Sequence, residues 1–377
     1  MRKSVLTLAV TSVFALPTLA LGQAAAPAPA APTLDKVLEA SGLSLSGYVD
    51  TAYQHADRNI EGGFSTRVFD SQNNSFVLHQ VGLQMAKQPK EGFGGLVNIT
   101  AGKDAAVIHS FDTTTESQFD VTQAFAQYAA GNFTLMAGKF TTLHGTEVIW
   151  SPSNANFSRS ILFGAVPFTH TGVRGVYTMS DKANFTVGVN NGWDQVKDAN
   201  KGKTLELGTT ITPIKPVSVS ASYYGGQEPS GTTGTNGRRD SFNLVGSYSP
   251  IDPLSLSLEY LRVQQKDSIL DSTGKPAKGK YSGFAGYVSY TFMPKLKGTV
   301  RAEAFDDKDG LHFGMPAATT SGSKYKEYTL TLAYLAADNF ELRGEIRTDR
   351  ANQPVFTDST TFSKTLTTFA VQALYKF

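Results

Sequence analysis

The 377-residue chain has no cysteine and only two tryptophans, and past its N-terminus it has no run of about 20 apolar residues. The first absence excludes a disulfide-stapled scaffold. The missing apolar runs exclude a helical membrane protein. Neither charge is in surplus: 34 Lys and Arg face 32 Asp and Glu, so the chain has no electrostatic footprint for nucleic acid. Charged residues are 18% of the total, below the roughly 25% of soluble domains, yet mean hydropathy is only −0.19. A chain this poor in charge and not oily overall is no ordinary cytosolic enzyme. What it does contain is turn formers, 35 Gly and 16 Pro, and strand formers, 24 Phe and 15 Tyr. That balance predicts a β-rich protein.

Residues 1–22 have the form of a secretory signal peptide. Arg2 and Lys3 form a basic start, Val5 to Leu16 an apolar core, and Pro17 to Gly22 a small-residue exit, with cleavage expected near Gly22 or Ala24. The apolar core is too short to anchor the chain in a bilayer. Its removal takes away Arg2 and Lys3 and leaves the two charge signs equal. Residues 23–43 read as an Ala/Pro tether followed by a short periplasmic helix over 33–42. There Thr33 can cap, Asp35 suits the first turn, Leu34, Val37 and Leu38 share a face, and Gly42 stops the helix.

From residue 44 a period of two takes over. Leu254, Leu256, Leu258 and Tyr260 alternate with Ser255, Ser257 and Glu259; Phe340, Leu342, Gly344 and Ile346 alternate with Glu341, Arg343, Glu345, Arg347 and Asp349. About sixteen such segments can be read along 44–377, most near the 9 to 11 residues that cross a bilayer at a tilt. Short turns (88–93, 130–131, 179–182, 213–215, 250–253, 293–295, 337–338) alternate with longer polar loops (55–74, 104–117, 141–166, 194–202, 226–239, 266–280, 307–323, 350–365). The fold class expected is therefore all-β: a transmembrane antiparallel β-barrel with short periplasmic turns and long external loops. A sheet in hydrocarbon must close, because each unpaired edge amide costs several kcal/mol. Its apolar face then meets lipid and its charged face encloses water. The soluble alternative is an exported β-sandwich with its apolar faces stacked together; its strands average nearer 5 to 6 residues.

The chain ends on a strand whose Phe369, Val371, Ala373, Tyr375 and Phe377 share one face. A terminal aromatic after alternating apolar positions resembles the signature read by the barrel assembly machinery of Gram-negative outer membranes, which assigns Tyr375 and Phe377 to that role. Residues 123–193 carry a second likeness in Ala137-Gly138-Lys139-Phe140 to Gly145-Thr146-Glu147, Asn154 to Ser160 (NANFSRS), Pro167 to Arg174 (PFTHTGVR) and Val189-Asn190-Asn191-Gly192-Trp193. In order and spacing these resemble the putative β-barrel porin-2 family of Gram-negative outer membranes. About 70 residues agree closely and the remainder agrees in pattern. The resemblance implies a transmembrane pore without naming its solute, and porins of this size often form homotrimers.

Porins also imply that one long loop can fold into the lumen. Loop 141–166 would then place Glu147, Asn154, Ser158 and Arg159 at the constriction, with Glu147 and Arg159 facing each other. The bland reading is a solvated external loop. Parity on the strands nominates His170, Arg174, Glu206, Glu259, Arg301, Glu303, Arg343 and Arg347 as pore lining, with Thr169, Thr171 and Val173 outward; for any single one of the eight, a plain wall salt bridge is the more ordinary reading than a solute contact. Aromatics near strand ends (Tyr48, Phe133, Tyr177, Trp193, Tyr223, Tyr260, Tyr334, Phe377) suit interfacial girdles.

No catalytic or metal constellation stands out. The six His show no HExxH and no close pair, and Gly274 to Lys280 (GKPAKGK) lacks the Ser/Thr and the helix that a phosphate loop requires. The expected function is passive diffusion of small hydrophilic solutes and ions across the cell outer membrane. It involves outer-membrane lipid, no cofactor, no nucleic acid and no chemical step. The alternative is an outer-membrane β-barrel enzyme or adhesin without a conducting pore.

Overall fold

The alternation that starts at Ser44 closes into a ring. The computed structural model describes residues 32–377 apart from 59, 61–63, 65, 111–116, 317–320 and 359–360. Residues 1–31, with the signal-peptide reading and most of the tether, lie outside the described residues. A helix α1 (Leu34–Ser41) precedes strands β1 (Ser44–Ala56), β2 (Ser75–Lys87), β3 (Gly92–Ala101), β4 (Phe119–Ala130) and β5 (Phe133–Thr141). Next come β6 (Thr169–Ser180), β7 (Ala183–Asn190), β8 (Thr204–Ile214), β9 (Val217–Pro229) and β10 (Asn236–Ile251). The chain continues through β11 (Leu254–Leu270), β12 (Pro276–Met293), β13 (Leu296–Asp306), β14 (Lys324–Ala337) and β15 (Phe340–Ala351). A hairpin of β16 (Phe356–Asp358) and β17 (Thr361–Ser363) stands apart, and β18 (Thr365–Lys376) returns to pair with both β15 and β1. The result is a closed antiparallel barrel of sixteen strands. Among the described residues no helix is long and apolar enough to span a bilayer.

Closure is made at the chain's own ends. Gly47 and Phe377 exchange both backbone hydrogen bonds, at 2.8 and 2.9 Å, so the last amide of the chain is paired across the seam. Gly47 leaves room for the Phe377 ring: a Cβ there would sit 2.5 Å from it, and the ring would have to shift. Tyr375 and Phe377 both face outward. At the same end, two-residue turns such as Gly131-Asn132, Asp252-Pro253 and Asp338-Asn339 join neighbouring strands, and Gly131 takes the positive φ (55°) that a tight hairpin asks for.

The strand faces sort as the period predicts. On β15, Leu342 and Ile346 are each 38% exposed while Arg343 and Arg347, on the opposite parity, are 3% and 1% exposed. Phe133, Tyr177, Tyr334 and Phe377 are exposed, as an aromatic girdle requires. Two of the girdle expectations need correction. Tyr48 points inward, fully buried, with its ring edge-on to Trp150, and Trp193 packs among inner apolar residues. Thr169, read as outward, is covered, with its hydroxyl 3.2 Å from that of Ser110.

Other differences concern the external side. Strands β9 to β12 run on beyond lipid, so the loops expected at 226–239 and 266–280 shrink to 230–235 and 271–275. The connection between β3 and β4 carries a short helix, α2 (Ala105–Ile108). In α1, Gly42 takes the left-handed conformation and closes the helix, but Thr33 makes no side-chain cap. The interior is not wet throughout. Inward Leu261, Val263, Ala285, Phe305 and Leu366 pack with Ile161, Leu162 and Val166 into an apolar mass inside the barrel. The period of two shows which side chains point inward, but it does not show whether water or another segment meets them.

Leu330 lies on the lipid face of β14 between Tyr328 and Tyr334 and is 45% exposed. Leu330→Arg should cost about 2–4 kcal/mol of unfolding free energy, measured by urea titration in lipid vesicles; a change under about 0.5 kcal/mol would contradict the lipid-facing assignment.

Candidate functional site

Residues 142–168, between β5 and β6, lie inside the barrel and meet the inner wall strand by strand. The backbone N–H of Leu143 donates to the Tyr224 hydroxyl at 2.9 Å, and the ring of His144 lies between the hydroxyls of Ser222 (2.7 Å) and Ser241 (2.9 Å). Gly145 N–H donates to Asn243 Oδ1 at 3.1 Å and Thr146 N–H to Glu259 Oε2 at 2.9 Å. Successive residues thus step across β9, β10 and β11. Trp150 to Asn154 form a tight turn closed by the Asn154 side chain, which accepts from Val148 N–H and donates to the carbonyls of Val148 and Trp150, all at 2.9 Å.

The return half is held by wall carboxylates that each accept two consecutive backbone N–H groups. Glu345 takes those of Phe157 and Ser158 at 2.7 and 3.0 Å, and Glu303 takes those of Ile161 and Leu162 at 2.8 and 2.7 Å. The Glu303 pair opens the one-turn helix α3 (Ile161–Gly164), whose cap is the Ser160 hydroxyl accepting from Phe163 N–H at 3.0 Å. Wall guanidiniums hold the carbonyls: Arg301 donates to Ser158 O (2.7 Å), Arg343 to Asn156 O (3.3 Å) and Arg347 to Arg159 O. A charge-assisted bond from a buried carboxylate or guanidinium is about twice as strong as a neutral one, so a loop without regular structure gains the backbone partners it cannot make for itself. At the exit, Asp194 accepts from Phe168 and Thr169 N–H at 2.8 and 2.9 Å. Burial pushes its carboxyl up to about 6 against these two bonds, which favour the charged form.

The four residues expected at a constriction are all in this loop and all nearly buried: Glu147, Asn154, Ser158 and Arg159. The expected opposition of Glu147 and Arg159 is not found. Glu147 pairs with Arg301 at 2.7 Å and accepts from Ser160 N–H, whereas Arg159 donates to the carbonyls of Val148 and Phe157 and lies over the rings of Phe69 and Phe163. The two are drawn to different partners because each finds a nearer buried group.

The eight wall residues face inward and are nearly covered, and Arg343 also borders a cavity under the loop. Arg301, Arg343, Arg347, Glu259 and Glu303 are covered by the loop they hold. Glu206 pairs with Arg174 at 2.6 Å, Arg174 lies 3.9 Å above the Phe140 ring, and His170 stacks on Tyr224 with its Nδ1 3.0 Å from Gly192 O. A second loop joins in, since Arg67 reaches Asp349 and Asp70.

Space remains on the short-turn side of the loop. A cavity of about 300 Å³ lies under Pro152 to Ala155 against Lys295, Lys297, Glu341 and Arg343. A second, of about 350 Å³, is lined by uncharged groups including Gln84, Asn98, Thr122 and Gln123. Around β8 to β13 the inner wall at this level is a band of hydroxyls joined in pairs: Thr210 with Ser220 (2.9 Å), Ser247 with Ser257 (3.1 Å) and Ser289 with Thr299 (2.8 Å). Arg343 is neutralised by Glu341, while Lys297 has no acid within ion-pair distance among the described residues.

A closed barrel with an inserted loop is an architecture that can be compared. The profile of a protein family described as putative beta-barrel porin-2, OmpL-like, matches residues 42–377. The chain belongs to that family. It is an outer-membrane channel for passive diffusion. Solved structures agree in fold. The outer membrane channel DcaP of Acinetobacter baumannii is 14% identical over 89% of this chain and 97% of its own, with a TM-score of 0.62. The anion-selective porin of Comamonas acidovorans is 13% identical over 89% and 99%, also at 0.62. OmpT of Vibrio cholerae in its trimer form is 12% identical over 89% and 99%, at 0.59. No curated protein matches the porin by sequence.

Two participants in this porin's interior were missing from the sequence reading. Glu327, shared by Arg301 and Arg347, sits on the inward parity of β14 with Thr329 and Thr331 and could have been found there. Arg67 belongs to a loop with no period, so nothing in the sequence points to Asp349 as its partner. Arg301→Met would leave Glu147 and Glu327 buried beside an apolar side chain. We expect a loss of about 3–5 kcal/mol in the hold on the loop. It should be seen as new protease cleavage within 142–168 while the barrel keeps its heat-modifiable gel mobility; an uncut loop would contradict the clamp.

Proposed function

We propose that this porin passes small hydrophilic solutes and ions with a weak preference for anions, and that loop 142–168, with Glu147, Asn154, Ser158 and Arg159, forms its narrow section. The observation that carries the reading is the unequal fate of the two charge signs. The interior carboxylates Glu147, Glu259, Glu303, Glu327 and Glu345 are buried against N–H groups or guanidiniums. The charge left beside the 300 Å³ cavity under the loop is cationic, from Lys295 and Lys297. A permeating ion feels exposed charge far more than charge already neutralised by a buried partner. The anion-selective neighbour is consistent with this, and the hydroxyl band suits uncharged polar solutes.

The same reading extends to export and assembly. A signal peptide at 1–22 would deliver the chain to the periplasm, and the outward Tyr375 and Phe377 beside the closing seam would present the aromatic terminus to the barrel assembly machinery before β18 and β1 pair. A homotrimer in outer-membrane lipid fits the trimeric neighbour. No chemical step enters this function.

Lys297→Glu should move the reversal potential in a salt gradient toward that of a cation-preferring pore, measured on single channels in planar bilayers. An unchanged reversal potential would remove Lys297 from the ion path and with it the proposed preference.

A further inference from the structure

The outer wall holds a group of cations that transport through the lumen does not use. In a barrel spanning lipid, outward positions near the external ends of the strands lie at the level of lipid headgroups. On β11 to β15 these positions include Arg262, Lys266, Lys278, Lys280, Lys324, Lys326 and Arg350; the acids there are Asp267 and Asp306, the latter held by Lys324 at 3.3 Å. Lys326 and Arg350 are directly opposite in the β14 to β15 register, both exposed and both without an ion pair or hydrogen bond among the described residues. Like charges facing across a strand pair are destabilising by themselves. Elsewhere on the rim some cations are matched, as Arg238 is by Asp240 at 3.0 Å.

The same place is concave. A groove of about 590 Å³ on the outer surface is bordered by Phe284, Lys324, Lys326, Arg350 and Asn352, with Ala304 in its floor. Ala304 is flanked in register by Phe284 on one side and Lys326 on the other; one step nearer the bilayer centre, Ala302 lies between Gly286 and Tyr328. Small side chains between aromatic ridges leave an apolar furrow running down from the cations. The geometry points to a binding site for one phosphorylated glycolipid of the outer leaflet, its headgroup phosphates between Lys326, Arg350 and Lys324 and an acyl chain along the Ala304–Ala302 furrow. A second copy of the chain suits the face less well, because Asp240 and Asp306, outward acids at this level, are already held by Arg238 and Lys324.

The test uses full-length mature porin purified in detergent and stripped of lipid, with diphosphorylated lipid A as the probe and native mass spectrometry as the readout. Lys326→Gln combined with Arg350→Gln should weaken binding roughly 30-fold, and Arg350→Gln alone, the fallback if the double variant does not refold, roughly fivefold. Dephosphorylated lipid A should bind weakly to the wild type, excess inorganic phosphate should not displace the lipid, and single-channel conductance of the variants should stay at the wild-type value. Equal binding by wild type and variants, or equal binding of the dephosphorylated lipid, would overturn the site. Displacement by inorganic phosphate would reassign it to a free anion. A change in oligomer mass with lipid binding intact would reassign the face to a second copy, and either reassignment overturns the proposal.

Discussion

At membrane depth a backbone amide without a partner costs several kcal/mol, and this cost governs both the wall of this protein and what lies inside it. For the wall the solution is ring closure, completed by the exchange of hydrogen bonds between Gly47 and Phe377. For loop 142–168 no ladder is available, because a segment that crosses a lumen cannot pair with strands already paired on both sides. Its N–H groups instead end on Glu259, Glu303 and Glu345 and its carbonyls on Arg301, Arg343 and Arg347. The charges of the inner wall therefore act mainly as partners for a foreign backbone.

That use has a consequence for transport. A carboxylate enclosed by N–H groups, or a guanidinium enclosed by carbonyls and acids, contributes little field to a passing ion. On the proposed reading, selectivity falls to whatever remains uncovered, here Lys295 and Lys297 beside the cavity and a neutral band of hydroxyls. The porin carries many interior charges, yet beside this cavity the acid, Glu341, is paired with Arg343, and among the described residues the unpaired charges there are Lys295 and Lys297. Counting charged residues on inward strand positions would misjudge it.

The outer wall was nearly all legible in advance. Period two at Leu254 to Tyr260 and Phe340 to Asp349, short turns alternating with long loops and a terminal aromatic strand were enough to expect about sixteen strands and most of their lipid-facing side chains. The interior was legible only in part. Parity named Arg301, Glu303, Arg343 and Arg347 as inward residues, and the family resemblance placed loop 141–166 in the lumen. What covers each inward residue was hidden, because a buried carboxylate awaiting a loop N–H and a lumen carboxylate awaiting water have the same alternation. Tyr48 shows the limit from the other direction: a Tyr near a strand end looks like a girdle residue, and its inward parity mattered more than its nearness to the end.

The sequence by itself determined the kind of ring: most of the side chains that point out, about how many strands there are, and, for a sheet in lipid, that it must close, since bare amides there are costly. Only the tertiary structure decided what fills the ring. The meeting of Glu147 with Arg301, of Arg67 with Asp349 and of Glu345 with the backbone of Phe157 joins residues far apart along the chain. Each contact depends on where a loop without periodicity turns, and that is set by the shape and charge of the assembled wall.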